Sequence, residues 1–312
     1  MKSLIIGGAG FVGEYLAKHL LTLGQAVDVT KMPAQQAAVA GASMYDLDIL
    51  DPDQVLEVLQ KTQPDAVYHL AAQSSVAVSW SNPQLTADVN IKGSINVLEG
   101  LRRYEKHPRV LLVGSGEEYG HILAQETPVR ETNPLRPGNL YAAAKACQNM
   151  IGRIYAQAYG MDLRMVRPFN HIGPNQSPVF VVADFCRQVA QIEAGNKEPV
   201  IKVGNLTAKR DFTDVRDVVR AYALLVNQGL AGETYNIGSG HAVAISDILQ
   251  MVLEQSAVTI RVEVDEKKLR PVDTPVMEAD IHKLQETTGW KPQIRLQQTI
   301  SEMLEYWRKV FQ

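Results

Sequence analysis

Five residues of the chain, Tyr141-Ala142-Ala143-Ala144-Lys145, place a phenol and an ammonium four positions apart. On a helix, positions i and i+4 share a face. The cation can then sit beside the phenol and favour its ionised form. A free phenol titrates near about 10, too high for efficient proton transfer at neutral pH. A proton-exchanging tyrosine with a lysine neighbour is therefore the first chemistry the sequence offers. The second comes from Val110–Val113, an apolar run that leads into Gly114-Ser115-Gly116-Glu117-Glu118-Tyr119-Gly120. A hydroxyl at Ser115 would stand at the carboxyl end of a strand, where open α/β sheets place their ligands. Glu117, two residues on, could exchange a proton with a substrate carbon or stand as a surface acid on a loop.

The third feature lies at the N-terminus, where Ser3–Ile6 runs directly into Gly7-Gly8-Ala9-Gly10-Phe11-Val12-Gly13. This is G-x-x-G-x-x-G between a strand and a helix. Gly7 suits a tight turn, Gly10 a close approach of a diphosphate, and Gly13 close packing of helix on sheet. An anion would rest on the free N–H groups of the helix start. The second strand ends Asp28-Val29-Thr30-Lys31-Met32, with no acid at its tip to hold ribose hydroxyls. Lys31 would welcome a 2′-phosphate, so NADPH is expected over NADH, unless Lys31 is a solvated loop residue. Asp48 is expected at the adenine amino group, whereas Asp51, just before Pro52, suits a helix N-cap.

Elements that could position these groups alternate along the first half. Apolar strands are expected at Ser3–Ile6, Ala26–Thr30, Ala66–Leu70, Val110–Val113 and Leu163–Val166. Helices are expected at Val12–Leu23, Asp53–Lys61, Asn82–Glu105 and Gly138–Tyr159. The alternation predicts a Rossmann-type α/β fold, a doubly wound parallel sheet. The second half is mixed. Helical stretches at Val181–Ala194, Val215–Val226, Ser246–Gln255 and Leu296–Phe311 are separated by short strands at Val200–Val203, Thr234–Ile237 and Thr259–Val264. This predicts a dinucleotide-binding domain over 1–168 and a smaller mixed α/β substrate domain over 169–312. Residues 213–240 are expected to return to the first. With no repeat and no long linker, the ligand site is expected in the cleft between the two.

Composition narrows the class. The 312 residues are 46% hydrophobic and 21% charged with a net charge of −3, an ordinary globular balance that gives no general attraction to nucleic acid or anionic membrane. Cys147 and Cys186 form no CxxC, so neither a metal site nor a disulfide framework is suggested. The opening apolar run is too short for a signal-peptide core and no segment could span a bilayer, so a soluble cytoplasmic protein is expected.

Taken together, Gly7–Gly13, His69-Leu70-Ala71-Ala72-Gln73, Ser115, Tyr141 and Lys145 resemble the extended short-chain dehydrogenases/reductases, the NAD-dependent epimerases, dehydratases and reductases of nucleotide sugars. The resemblance covers essentially the whole chain. It implies cofactor contacts from Phe11, Val12, Ile49, Leu70, Ala71, Ala72 and Pro168, beside those of Tyr141 and Lys145. Val89-Asn90-Ile91-Lys92-Gly93 resembles the family's V-N-x-x-G, in which the asparagine supports the site. Arg167-Pro168-Phe169-Asn170-His171-Ile172-Gly173-Pro174 resembles R-P-x-N-x-x-G-P, which implies Asn170 at the substrate diphosphate. His171 is open between a cofactor contact and a core histidine. Lys209-Arg210-Asp211-Phe212 and Leu269-Arg270-Pro271 resemble segments whose arginines clamp phosphate, a task suited to the guanidinium fork. The implied chemistry is NADPH-dependent reduction of a nucleotide sugar's C4 ketone. The same residues would also serve a 4-epimerase or a 4,6-dehydratase. A non-catalytic NADP-binding regulator is the reading from another class, and such proteins usually lack the tyrosine–lysine pair. The resemblance also implies a homodimer through a four-helix interface built from Asn82–Glu105 and Gly138–Tyr159.

Overall fold

The computed structural model describes residues 1–269 and 274–312. Seven parallel strands form the main sheet: β1 (Lys2–Ile6), β2 (Ala26–Lys31), β3 (Ser43–Asp46), β4 (Ala66–His69), β5 (Arg109–Val113), β6 (Leu163–Pro168) and β10 (Thr234–Ile237). Their order is β10-β6-β5-β4-β1-β2-β3. The strand order reverses between β1 and β4, and a crevice opens there at the carboxyl ends. Helices cover both faces, so the inner strands read as continuous apolar runs rather than alternating ones. Leu4, Ile5, Val67, Leu111 and Leu163 are all fully buried.

The flanking helices begin with α1 (Phe11–Thr22) and α2 (Pro52–Thr62). Asp51 caps α2, accepting from the N–H groups of Asp53 and Gln54. Next come α3 (Val76–Ser81), α4 (Pro83–Ala87) and α5 (Gly93–Arg103), with one turn of π-helix over Asp88–Lys92 between α4 and α5. The single helix expected over Asn82–Glu105 is therefore interrupted. The reason lies at Asn90, which accepts from the Gln73 N–H at 2.8 Å and donates to the Gln73 carbonyl at 2.9 Å. A π-turn re-aims that side chain toward the loop after β4. The long α6 (Leu140–Tyr159) carries Tyr141 and Lys145, and Asn139 caps it.

The second lobe holds α7 (Val181–Glu193), α9 (Ile245–Leu253) and α11 (Leu296–Phe311) around two small sheets. One joins β7 (Asn170–Ile172), β9 (Lys209–Asp214), β11 (Ala242–Ala244) and β13 (Val276–Met277); the other pairs β8 (Val200–Val203) with β12 (Arg261–Val264). Its core includes Phe185, Ile201, Ile248 and Met303. The lobes interleave. Between β9 and β10 the chain forms α8 (Val215–Gln228), which packs on α1, and α10 (His282–Thr288) also packs on α8 and β10.

Candidate active site

The loop after β1 is built for close approach. Gly7 has φ +85°, and a Cβ there would stand 2.7 Å from the Ala71 backbone nitrogen. Only glycine takes both the left-handed conformation and the contact. A Cβ on Gly13 would meet Gly8 Cα at 2.5 Å, so the helix is pressed against the turn. Gly10 differs: its Cβ would meet only the Gly7 carbonyl, at 3.4 Å. Its bare backbone lines a cavity instead. No side chain caps the first turn of α1. Open N–H groups at a helix start beside a bare glycine are what a dinucleotide's diphosphate requires.

The cavity measures about 1310 Å³ and runs from this loop across the carboxyl ends of the sheet into the second lobe. Of the cofactor positions expected from sequence, Gly7, Gly10, Phe11, Val12, Gly13, Lys31, Asp48, Ile49, Leu70, Ala71, Ala72 and Pro168 all line it. Ser115, Glu117, Tyr141, Lys145, Asn170 and Arg210 line it too. Arg270 lies outside the described residues. His171 stacks near-parallel on Phe11, at 7° and 6.5 Å between centroids, with Nδ1 3.2 Å from the Phe169 carbonyl.

Ser115 and Tyr141 stand together on the wall, and both are buried. Burial pushes the Tyr141 phenol up to about 12; the Ser115 side chain opposes that rise, and the charges of Glu117 and Glu118 add to it. This corrects the expectation that Lys145 lowers the phenol. The spacing does bring both residues to one cavity wall. Lys145 Nζ donates to the Val113 carbonyl at 2.8 Å and to Gln148 Oε1 at 3.0 Å. A buried ammonium needs such acceptors. Burial still draws Lys145 down to about 8, partly offset by the charge of Glu118.

Beneath Ser115 lies a buried ion pair the sequence reading passed over. Glu118 Oε2 accepts from Arg167 Nε at 2.8 Å, and both side chains are nearly or wholly buried. Its signal was present, since Ser115-x-x-Glu118 has capping-box spacing, and the box forms. At the far end, Arg210 is held by the carbonyls of Lys209 and Thr274. Arg187 and Lys268, also unremarked in the sequence, reach the same wall, each paired with Asp184. Cys186 is a buried thiol in the second lobe's core, pushed up to about 12 by burial, and Cys147 is half-buried.

Known proteins resemble this arrangement over its full length. The family model described as GDP-mannose 4,6 dehydratase matches residues 4–303. GDP-6-deoxy-D-mannose reductase of Pseudomonas aeruginosa is 30% identical, with 98% of this chain and 97% of that protein covered. GDP-mannose 4,6-dehydratase of Vibrio cholerae is also 30% identical, covering 97% and 92%. Among solved structures, RMD from Pseudomonas aeruginosa complexed with NADPH superposes with a TM-score of 0.89 at 30% identity, over 99% of this chain and 100% of that one. UDP-glucose 4-epimerase of Thermus thermophilus with NAD gives 0.89 at 30% identity, over 99% of each. With a glycine-rich loop, a serine and a Tyr-x-x-x-Lys pair facing one cavity, and a match that runs from end to end, the chain belongs to the GDP-mannose 4,6-dehydratase family of extended short-chain dehydrogenases/reductases.

Proposed function

We propose that this enzyme reduces the C4 ketone of GDP-4-keto-6-deoxy-D-mannose to GDP-D-rhamnose, with NADPH as reductant. The observation that carries the reading is that Ser115, Tyr141 and Lys145 stand on the wall of the one cavity that the glycine loop also lines. Two hydroxyls on one stretch of wall can both turn to one carbonyl oxygen. The bound nicotinamide supplies the hydride. Ser115 and Tyr141 orient the ketone, and Tyr141 gives its proton to the oxygen as negative charge develops there. A phenol held protonated by its protein surroundings starts the cycle in the form a proton donor needs. Lys145 adds positive charge beside the reacting oxygen and a grip on the nicotinamide ribose. Asn170 and Arg210 face the diphosphate.

Support for NADPH comes from Lys31 on the cavity wall and from the NADPH-bound relative. Support for the guanine nucleotide comes from the reductase and dehydratase relatives alike. A homodimer is part of the proposal: Met150 and Ile154, one helical turn apart on α6, are each more than half exposed. No helix among the described residues is long and apolar enough to cross a membrane, and a cytoplasmic setting completes the proposal.

A 4,6-dehydratase is the second reading, favoured by Glu117 on the cavity wall and by the dehydratase relatives. A reductase consumes one NADPH per sugar, whereas a dehydratase returns the hydride and needs no net cofactor. The purified enzyme is expected to oxidise NADPH in step with GDP-4-keto-6-deoxymannose and to leave GDP-mannose unchanged. Conversion of GDP-mannose without net cofactor use would replace the first reading by the second.

A further inference from the structure

One hydroxyl on the cavity wall has nothing in the protein to bond. Tyr222 of α8 lines the cavity with a side chain that is fully buried, and its Oη has no hydrogen-bond partner among the described residues. Buried polar groups are almost always paired, so an orphan needs a reason. Tyr104 also buries an unpartnered hydroxyl, but it does not line the cavity. Gln176 and Arg187 stand on the wall with one unpartnered atom each, yet both are held through another atom. Gln176 donates to the His171 carbonyl, and Arg187 donates to Asp184. Tyr222 carries a single side-chain polar atom, and that atom is the orphan. Burial pushes its phenol up, so the hydroxyl keeps its proton.

The place of Tyr222 in the fold decides which end of a dinucleotide it meets. Helix α8 packs against β5 and β6, whose last residues, Val113 and Pro168, line the cavity beside Ser115. The positions expected at the adenosine end, Lys31 and Asp48, belong to β2 and to the loop after β3. Asn227, in the last turn of α8, accepts from Arg109 Nη1 at 2.9 Å, and Arg109 opens β5. The helix therefore ends at the amino edge of the sheet and begins at the carboxyl edge. Helical side chains lean toward the helix N-terminus, so Tyr222 leans toward the cavity. Backbone groups around it are already committed. The Val113 carbonyl accepts from Lys145 and Gln148, the Gly114 N–H donates to the Val166 carbonyl, and the Phe169 N–H donates to the Ile237 carbonyl.

We propose that Tyr222 is a cofactor-binding residue: its hydroxyl bonds the carboxamide of the nicotinamide and so fixes the rotation of the ring beside Ser115 and Tyr141. A carboxamide offers an acceptor and two donors, and a hydroxyl can answer either. The side chains of Val113, Pro168 and Phe169 on the same stretch of wall suit the flat ring but offer the carboxamide no bond. The proposal rests on the dinucleotide site and not on which sugar reaction follows.

The test is calorimetric binding to the purified wild type, Tyr222→Phe and Tyr222→Leu. Two ligands are compared: NADPH, and adenosine 2′,5′-bisphosphate, which keeps the adenosine end and lacks the nicotinamide. Tyr222→Phe should bind NADPH about tenfold more weakly, the scale of one lost hydrogen bond, and the bisphosphate as tightly as the wild type does. Without ligand it should melt no lower than the wild type, because the hydroxyl it loses bonds nothing in the fold. Tyr222→Leu leaves a space and should melt lower, with the same contrast between the two ligands. Unchanged NADPH affinity in Tyr222→Phe would leave the hydroxyl to an enclosed water and overturn the proposal. Equal losses for both ligands would overturn it too, as would a lower ligand-free melting temperature in Tyr222→Phe, the mark of a structural bond. A wild type that binds both ligands but does not reduce the ketosugar would sink the reductase reading alone, and the binding contrast would still decide the role of Tyr222.

Discussion

Lys31 and Asp46 face each other in register across the ends of β2 and β3, and the Lys31 ammonium is ion-paired with the Asp46 carboxylate at the cavity wall. The carboxylate beside this strand tip stands on the third strand and pairs with Lys31. Lys31→Ala should weaken NADPH by about tenfold, the scale of one charge-assisted contact, and NADH much less. Asp46→Asn should act in the opposite sense, freeing the ammonium for a 2′-phosphate. Fluorescence titration of both reduced cofactors reads the two effects, and equal losses for the two cofactors in Lys31→Ala would remove Lys31 from the 2′-phosphate.

Tyr141→Phe keeps the ring and removes the proton. Turnover should fall by at least about a hundredfold, the usual range for a general acid, while NADPH binding survives. A variant retaining a tenth of the wild-type rate would mean that the proton comes from elsewhere.

The pH profile should show an alkaline limb near Lys145's own titration. Burial brings that ammonium down to about 8. Its charge is present below that pH and is lost as pH rises through it, so kcat should decline above about pH 8. A rate constant to pH 10 would show that the charge of Lys145 is not needed.

Gly10 and Gly13 should separate binding from folding. Gly13→Ala drives a methyl into Gly8 Cα at 2.5 Å and should lower the thermal midpoint, since overpacking costs about 1–3 kcal/mol. Gly10→Ala meets only ordinary contact at 3.4 Å, so the fold should melt normally while cofactor affinity drops. Equal melting losses for both would contradict the assignment of Gly10 to the ligand.

Glu117→Gln should leave ketone reduction largely intact, because the proton for O4 comes from Tyr141. Loss of reduction on that change would place Glu117 in the chemistry of this substrate. A steady-state NADPH assay suffices.

What could be read along the chain was what is local. The glycine loop, Tyr141 with Lys145, and Ser115 after an apolar strand each fit within seven residues, and the parallel sheet follows from strands buried on both faces. The passed-over features are long-range or weakly patterned. Glu118 and Arg167 are 49 residues apart, and neither half announces its partner. Strand β3 is half-exposed at the sheet edge, so Ser43–Asp46 shows no apolar run. The break in the helix over Asn82–Glu105 depends on a bond from Asn90 to a loop 17 residues earlier. The direction of Lys145 was set by a carbonyl 32 residues upstream, which no helical spacing reveals.

Strand β10 closes the far edge of the main sheet although the chain reaches it only after laying down two of the four strands of a second sheet. A fragment ending at residue 168 would therefore not be a self-sufficient nucleotide-binding module. It would expose the flank of β6, all six residues of which are buried in the intact protein, as an unpaired edge open to pairing with other chains. The two lobes cannot be exchanged between relatives as cassettes by one cut and splice. A working chimera would have to carry β10 and α8 along with the first lobe, and a nascent chain must keep β6 covered until β10 emerges.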